Sequence, residues 1–335
     1  MSGRRKAYTM NIKDIAQMAG VSRATVSRYL NHGYVSDEKK QKIKDVIEQT
    51  GYVPSTQAQM LRTKKTRLIG VIIPKINSET VSRILKGIGQ VLENYGYHML
   101  VANTENRYEK ELDYLKIFAN DRVDGVILLA SVRTQQHQKL LAQLPVPVVI
   151  AGQEAQKYSC VFHDDRNAAK ALTQRFLERG CRRPVFLGVT DADTAAGMNR
   201  RLGFEAALKE HDLWSEDILE LACEFDSASG YARMKGLICE QAYFDSVLCA
   251  TDNIAAGALR ALREAKMDVP GKIKLAGFGD TQLASLVTPA MTTVHYHYEE
   301  SGKEAAAMIM EQIHSGTRFV KSVMLGYEIV PRESL

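Results

Sequence analysis

Apolar residues along this 335-residue chain follow two different spacings. Up to about residue 53 they recur every three or four positions, the helical period. Asn11 is placed to cap a first helix, with Asp14 at its third position and Ile12, Ile15, Ala16 and Ala19 on one face. Gly20 ends it. Ser22 can cap a second helix, whose Val26, Tyr29 and Leu30 share one face while Arg23, Ala24, Ser27 and Arg28 share the other. A third helix fits residues 37–49, capped by Ser36, with Ile43, Val46 and Ile47 inward and Gly51 as its stop. Beyond residue 67 the apolar residues instead gather in short runs between helical segments. The runs are RLIGVIIP (67–74), HMLVAN (98–103), DGVILLA (124–130), PVVIAG (147–152), RPVFLGV (183–189), SVLCAT (246–251) and IKLAGFG (273–279). Near-continuous Val/Ile/Leu runs of this kind predict parallel strands covered on both faces, enough for two doubly wound sheets, one per lobe.

Charge sharpens the division. Residues 1–67 hold 14 Lys+Arg against 5 Asp+Glu, a net of +9; the remainder holds 30 against 34, a net of −4. The basicity is local, which fits a polyanion-binding head on a near-neutral body, or else a solvated basic arm. Three short helices, the first two joined by a tight Ala-Gly-Val-Ser turn, predict a helix-turn-helix head. Its second helix presents two arginines among small residues. Small residues permit close approach to a major groove, and arginine bonds two acceptors on guanine. Spacing alone equally fits a plain three-helix knob with solvated arginines.

The residues NIKDIAQMAGVSRATVSRYLN, followed by YVSDEKKQKIKDVIEQTGYVPSTQAQMLRTKKTRLIGVIIP, resemble the lactose-repressor/galactose-repressor (LacI/GalR) family of bacterial transcription regulators. The similarity continues to the C-terminus. It implies a helix-turn-helix head over 1–53, a hinge helix and linker over 54–67, and over 68–335 a two-lobed ligand-binding and dimerisation body like a periplasmic binding protein. The N-lobe is expected over about 68–162 and 293–321, the C-lobe over about 163–292 and 322–335. By the resemblance Arg23, Ala24 and Arg28 read bases, while Ser22, Thr25, Ser27, Asn31 and Tyr34 lie near the phosphate backbone, which fixes register. Leu61 matches a leucine that the family wedges between base pairs, with Arg62 beside it. A helix that short does not persist alone in water, so its order–disorder equilibrium suits a ligand signal.

Ligands of open parallel sheets bind beyond the carboxyl ends of strands. The residues to inspect are therefore Lys75 to Glu79, including Asn77 and Ser78, then Ser131 and Arg133, Arg200, Phe225, Thr251, Asp252 and Asp280. The resemblance makes Arg200, of R-x-x-G-F, a frequent ligand contact, Phe225 a ring-stacking position, and Asp252 and Asp280 acids near the pocket floor. Carboxylates accept hydroxyl bonds and a sugar's C–H face packs on a ring. Each has a plainer role open to it: helix caps for the two acids, core for Phe225, and a surface ion pair for Arg200, beside which Arg201 competes for the pocket. Trp214 is expected to pack. Gly279, where relatives often carry an acid, and Tyr296, where many carry Gln, prevent borrowing a ligand from any one relative.

Other classes find little support. No apolar run is long enough for a bilayer, and MSGRRKAYTM has no apolar stretch behind its charge, so no signal peptide is expected. Five cysteines (Cys160, Cys181, Cys223, Cys239, Cys249) without C-x-x-C spacing indicate reduced thiols. His295 and His297 lack a third metal ligand. No P-loop or nucleophile elbow appears, so no enzyme and no cofactor is implied. The expectation is a cytoplasmic, nucleoid-associated repressor of carbohydrate-utilisation genes, a homodimer on near-palindromic double-stranded operator DNA under the control of a small sugar. The end at YEIVPRESL, with no apolar heptad tail after it, agrees with a dimer. Alternatives are a purine or phosphoprotein corepressor, a sugar-binding transport receptor, and a hydrolase using Asp252 and Asp280.

Overall fold

The computed structural model describes residues 10–31, 33–52, 65–120, 123–129, 134–215 and 217–335. The chain divides into two compact units, Met1–Thr66 and Arg67–Leu335.

The first unit holds helices Ile12–Met18, Arg23–Leu30 and Asp37–Thr50. Asn11 closes a full capping box: its side chain accepts from Lys13 N while Asp14 reaches back to the Asn11 N–H. Gly20 takes a left-handed φ of 63° and lets the chain turn sharply into Ser22, whose hydroxyl accepts from Thr25 N. Ser36 sits at the expected cap position of the third helix but makes no side-chain bond; acidic Asp37 and Glu38 in the first turn supply the favourable charge instead. Ile15, Val26 and Ile43, one from each helix, are fully buried together.

The described residues of the second unit form twelve strands. They are β1 (Leu68–Ile73), β2 (His98–Asn103), β3 (Gly125–Leu129), β4 (Val148–Ala151), β5 (Ser159–His163), β6 (Pro184–Gly188), β7 (Glu220–Ala222), β8 (Ser246–Cys249), β9 (Lys274–Phe278), β10 (Thr292–Tyr296), β11 (Ser322–Leu325) and β12 (Tyr327–Val330). One sheet runs β11-β5-β4-β3-β1-β2 and is parallel throughout. The other runs β12-β10-β9-β8-β6-β7, with only β12 antiparallel to its neighbour. The seven expected runs are β1, β2, β3, β4, β6, β8 and β9. In β3, β4, β6 and β8 every residue is buried, as strands between two helical layers require.

The lobe boundaries differ from those expected. The chain crosses between sheets after His163, after Tyr296 and after Leu325, so β10 belongs to the second lobe and β11 to the first. Thr292, Thr293 and Val294 pair with Ala276, Gly277 and Phe278 of β9, whereas Ser322–Leu325 closes the exposed edge of β5. Helices Glu79–Asn94 and Tyr298–Ser315 pack closely on the first sheet. A Cβ at Gly87 would meet the Glu299 carbonyl oxygen at 2.0 Å, and one at Gly302 the Ile84 carbonyl oxygen at 2.1 Å. The two helices thus meet backbone to backbone near Ile84 and Gly87, and the first turns of helix Glu79–Asn94 reach the wall of the cleft described below. No helix among the described residues is long and apolar enough to cross a membrane.

Candidate functional site

Two sites emerge, one in each unit. In the head, burying Val26 forces the opposite face of helix Arg23–Leu30 into solvent. Ser22, Arg23, Ala24 and Arg28 are exposed there, with Thr25 and Ser27 half-buried beside them. Neither arginine makes a side-chain hydrogen bond or ion pair with the described residues, so both forks are open to an outside acceptor. The Ser22 and Thr25 hydroxyls meet at 2.9 Å. Asn31 donates to the Ser27 carbonyl and ends the helix; beyond it Tyr34 stands 88% exposed. An exposed tyrosine on a basic face has an amphipathic tip suited to a phosphate, not to a core. Leu61, Arg62 and the expected hinge lie outside the described residues.

In the body a cavity of about 530 Å³ opens where the carboxyl ends of both sheets face each other. Asn77 and Ser78, after β1, line one side. Ser78 also caps helix Glu79–Asn94 by accepting from Val81 N. Arg200, Phe225 and Asp252 line the other side. Phe225 is half-buried and packs on the core of the second lobe, so it serves core and cavity at once. Ser131 and Arg133 lie outside the described residues.

Arg200 faces the cavity and Arg201 does not. Arg200 is 7% exposed, and its guanidinium Nε and one terminal nitrogen both reach Asp165 Oδ1 at 2.7 Å. Its other nitrogen donates to the Ala250 carbonyl, and the plane lies over the rings of Phe278 (4.7 Å) and Tyr296 (5.3 Å). Tyr296, a departure from the family pattern, donates its hydroxyl to the same Asp165 oxygen at 2.9 Å. His163 packs on Tyr296 and Tyr298, and burial pushes its imidazole down to about 4, leaving it neutral in this network. Arg201 instead turns outward to Asp191, Glu205 and Glu220.

Asp252 occupies the cavity floor, but its acceptors are engaged. Oδ1 accepts from Thr293 Oγ1 at 2.6 Å, and Oδ2 from Thr281 N at 2.8 Å and Thr281 Oγ1 at 3.0 Å. Burial raises its carboxyl against the lowering effect of those bonds. Asp280, expected at the pocket floor, is not there. Gly279 and Asp280 are both left-handed (φ 128° and 45°), and the resulting turn carries the Asp280 carboxylate away to Arg332 and His295. Burial alone would raise it, but those two partners outweigh burial and hold it below the usual carboxylate range. His295 is thereby engaged as a partner of Asp280, and no metal-binding cluster occurs among the described residues.

Sequence reading passed over Asp193, Asp226 and Tyr298, all on the cavity wall. Asp193 caps the helical turn Thr194–Asn199, Oδ1 accepting from Ala195 N and Ala196 N. Burial pushes its carboxyl up to about 6, against those N–H bonds and the Arg200 charge. The signal was an acid ahead of small residues in DADTAAG, a helix-cap pattern. Trp214 packs on the second lobe's core under Lys209, as expected. At the cleft mouth the lobes also touch directly. Arg83 donates to the Asp280 carbonyl at 2.8 Å, and Gln282 N donates to Glu79 Oε2 at 3.0 Å.

An exposed arginine helix in one unit and a two-sheet cleft in the other define a DNA-binding regulator with a ligand-responsive body. Comparison with known proteins agrees. Residues 11–55 match the family of bacterial regulatory proteins of the lacI type, and residues 173–335 match a periplasmic binding protein-like domain. The chain is 33% identical to the sucrose operon repressor of Staphylococcus xylosus, over 90% of this chain and 93% of that one. A solved complex of the transcriptional regulator CelR with cellobiose is 27% identical, covering 97% of this chain and all of that one, with a TM-score of 0.75. The lac repressor dimer bound to operator and the anti-inducer ONPF shares the fold at 22% identity and a TM-score of 0.88, covering 97% and 98% of the two chains. The chain belongs to the lacI family: it is a DNA-binding transcription regulator and not an enzyme.

Proposed function

We propose that this protein is a cytoplasmic repressor of carbohydrate-utilisation genes, acting as a homodimer at a near-palindromic operator and released by a small sugar bound between its lobes. Two-fold symmetry makes the dimer and a two-half-site operator natural partners. The observation that carries the sugar reading is the cavity wall itself. A half-buried phenyl ring, Phe225, stands opposite Asn77 and Ser78, with carboxylates and the Arg200 network between. A sugar needs this combination, a flat apolar face to stack on and acceptors and donors around its rim. The sucrose operon repressor and the cellobiose complex among its relatives support the same ligand class. Arg23, Ala24 and Arg28 take the base-reading role, and Ser22, Thr25, Ser27, Asn31 and Tyr34 the phosphate role. The head spans 1–53, and 54–67 is the hinge through which the lobes act on DNA, with Leu61 as wedge and Arg62 beside it.

The test is a thermal-shift screen of mono- and disaccharides on the full chain. A ligand that binds the folded state at 100 times its Kd adds about 2.7 kcal/mol of stability. At least one sugar, sucrose and cellobiose being the first to try, is expected to raise Tm, and Phe225→Ala is expected to abolish that shift. Stabilisation by a purine base or a phosphoprotein, with none by any sugar, would overturn the sugar reading.

A further inference from the structure

Four helical segments begin at the wall of the cleft: Glu79–Asn94, Thr194–Asn199 running on into Arg200–Glu210, Ser227–Cys239 and Asp252–Glu264. A bare helix N-terminus attracts anions, through free N–H groups and the positive end of the dipole. Here each start carries its own carboxylate, and every one of these carboxylates lines the cavity. Glu79 and Asp252 are first residues of their helices, while Asp193 and Asp226 are caps.

The cations do not restore the balance. Glu79 is neutralised by Arg83. Arg200, the one arginine on the wall among the described residues, has its fork on Asp165 and a further donor on the Ala250 carbonyl. An arginine so committed cannot offer a phosphate the two parallel bonds that make it an anion receptor. Asp193, Asp226 and Asp252 therefore have, among the described residues on the wall, one cation not already held by a carboxylate, Lys75, while Arg200 lowers the Asp193 carboxyl only through space, its fork being on Asp165. Asp252 has both oxygens engaged, and Asp226 accepts from Ser229 N. Asp193 differs. Its side chain is buried, both N–H bonds fall on Oδ1, and Oδ2 accepts none from the described residues. Asp193 lines the cavity and Oδ2 has no donor among the described residues, so it is an acceptor available to the cavity, and a ligand hydroxyl is a donor.

We propose that the cleft selects an uncharged, polyhydroxylated ligand over its phosphorylated or carboxylated counterpart, with Asp193 as the residue that determines this selectivity. The inference rests on the cleft being the sugar site and goes further, assigning the charge of the sugar.

The experiment is isothermal titration calorimetry on the full chain at pH 7.5. The probes are sucrose and sucrose 6-phosphate, trehalose and trehalose 6-phosphate, glucose and glucose 6-phosphate, hypoxanthine, and inorganic phosphate. The neutral sugar that binds is expected to do so at least 100-fold more tightly than its phosphate ester. Asp193→Asn keeps the helix cap, so the fold is preserved; it is expected to weaken the neutral sugar about tenfold and to narrow the gap to the ester. A purely structural role would leave that ratio unmoved, which would overturn the assignment to Asp193. A phosphate ester binding as tightly as its parent sugar would overturn the charge selection. Binding of hypoxanthine with inorganic phosphate excluded, and no sugar bound, would overturn the sugar reading while upholding the charge selection.

Discussion

Replacing Arg200 by alanine is expected to destabilise the protein by about 3–5 kcal/mol, the range for stripping one partner from a buried ion pair. The size follows from what remains. Asp165 is 3% exposed and holds Arg200 and the Tyr296 hydroxyl on a single oxygen. Without the guanidinium its charge stays buried beside two aromatic rings, with Tyr296 as its remaining side-chain partner there. The Ala250 carbonyl also loses its donor, and Phe278 its cation. Arg201→Ala is the matched control: an arginine one residue away, also with carboxylate partners but 27% exposed at the side chain, and expected to cost about 0–1 kcal/mol. Urea unfolding of both variants separates the two cases. Because the two charges couple, Asp165→Leu in the Arg200→Ala background is expected to recover part of the loss, whereas independent sites would add. A cost near 1 kcal/mol for Arg200→Ala would mean that solvent reaches the network and that its burial is not what holds it together.

The second large effect lies in the head. Arg28→Ala is expected to weaken binding to the preferred operator by about 1–3 kcal/mol per half-site, the worth of a bidentate arginine–guanine contact. The structure makes this a clean experiment. Arg28 makes no side-chain bond to the described residues and lies across the helix from buried Val26, so the substitution removes a donor without opening the core. Binding to random DNA is expected to fall far less, since phosphate contacts carry that term. Fluorescence anisotropy against selected and random duplexes reads both quantities. Equal losses on the two would place Arg28 on the phosphate backbone.

The head was legible because each of its features is local. Asn11 and Asp14 close a box within four residues, Gly20 turns the chain, and Ile15, Val26 and Ile43 each lie on the apolar face of their own helix, set by residues three or four positions away. The strands that were found read as apolar runs, and all but the edge strand β2, whose Leu100 and Val101 are exposed, have buried centres. Those missed are β5 and β10, where buried Ser159, His163, Thr292 and Thr293 interrupt the run, and the edge strands β7, β11 and β12, which are half exposed. The lobe boundaries moved for the same reason: a strand that changes sheets looks like any other in one dimension. In the cleft, Arg200 and Arg201 are adjacent and chemically identical in sequence, and only Asp165, 35 residues earlier, decides between them. Asp280 was misplaced because two successive left-handed residues redirect it to Arg332, 52 residues away. Asp193 was passed over because its cap role is local while its exposure to the cavity is not.

The central claim is that a sugar in the cleft governs the grip of the head on DNA. The most direct measurement is the Kd of the full-length protein for an operator it has selected from a random-sequence pool, taken with and without a saturating sugar that calorimetry shows to bind. Allosteric coupling of typically 1–3 kcal/mol predicts a Kd raised roughly 5- to 150-fold, and by reciprocity an equal weakening of the sugar by the operator. A sugar that fills the cleft and leaves the operator Kd unchanged would contradict the account.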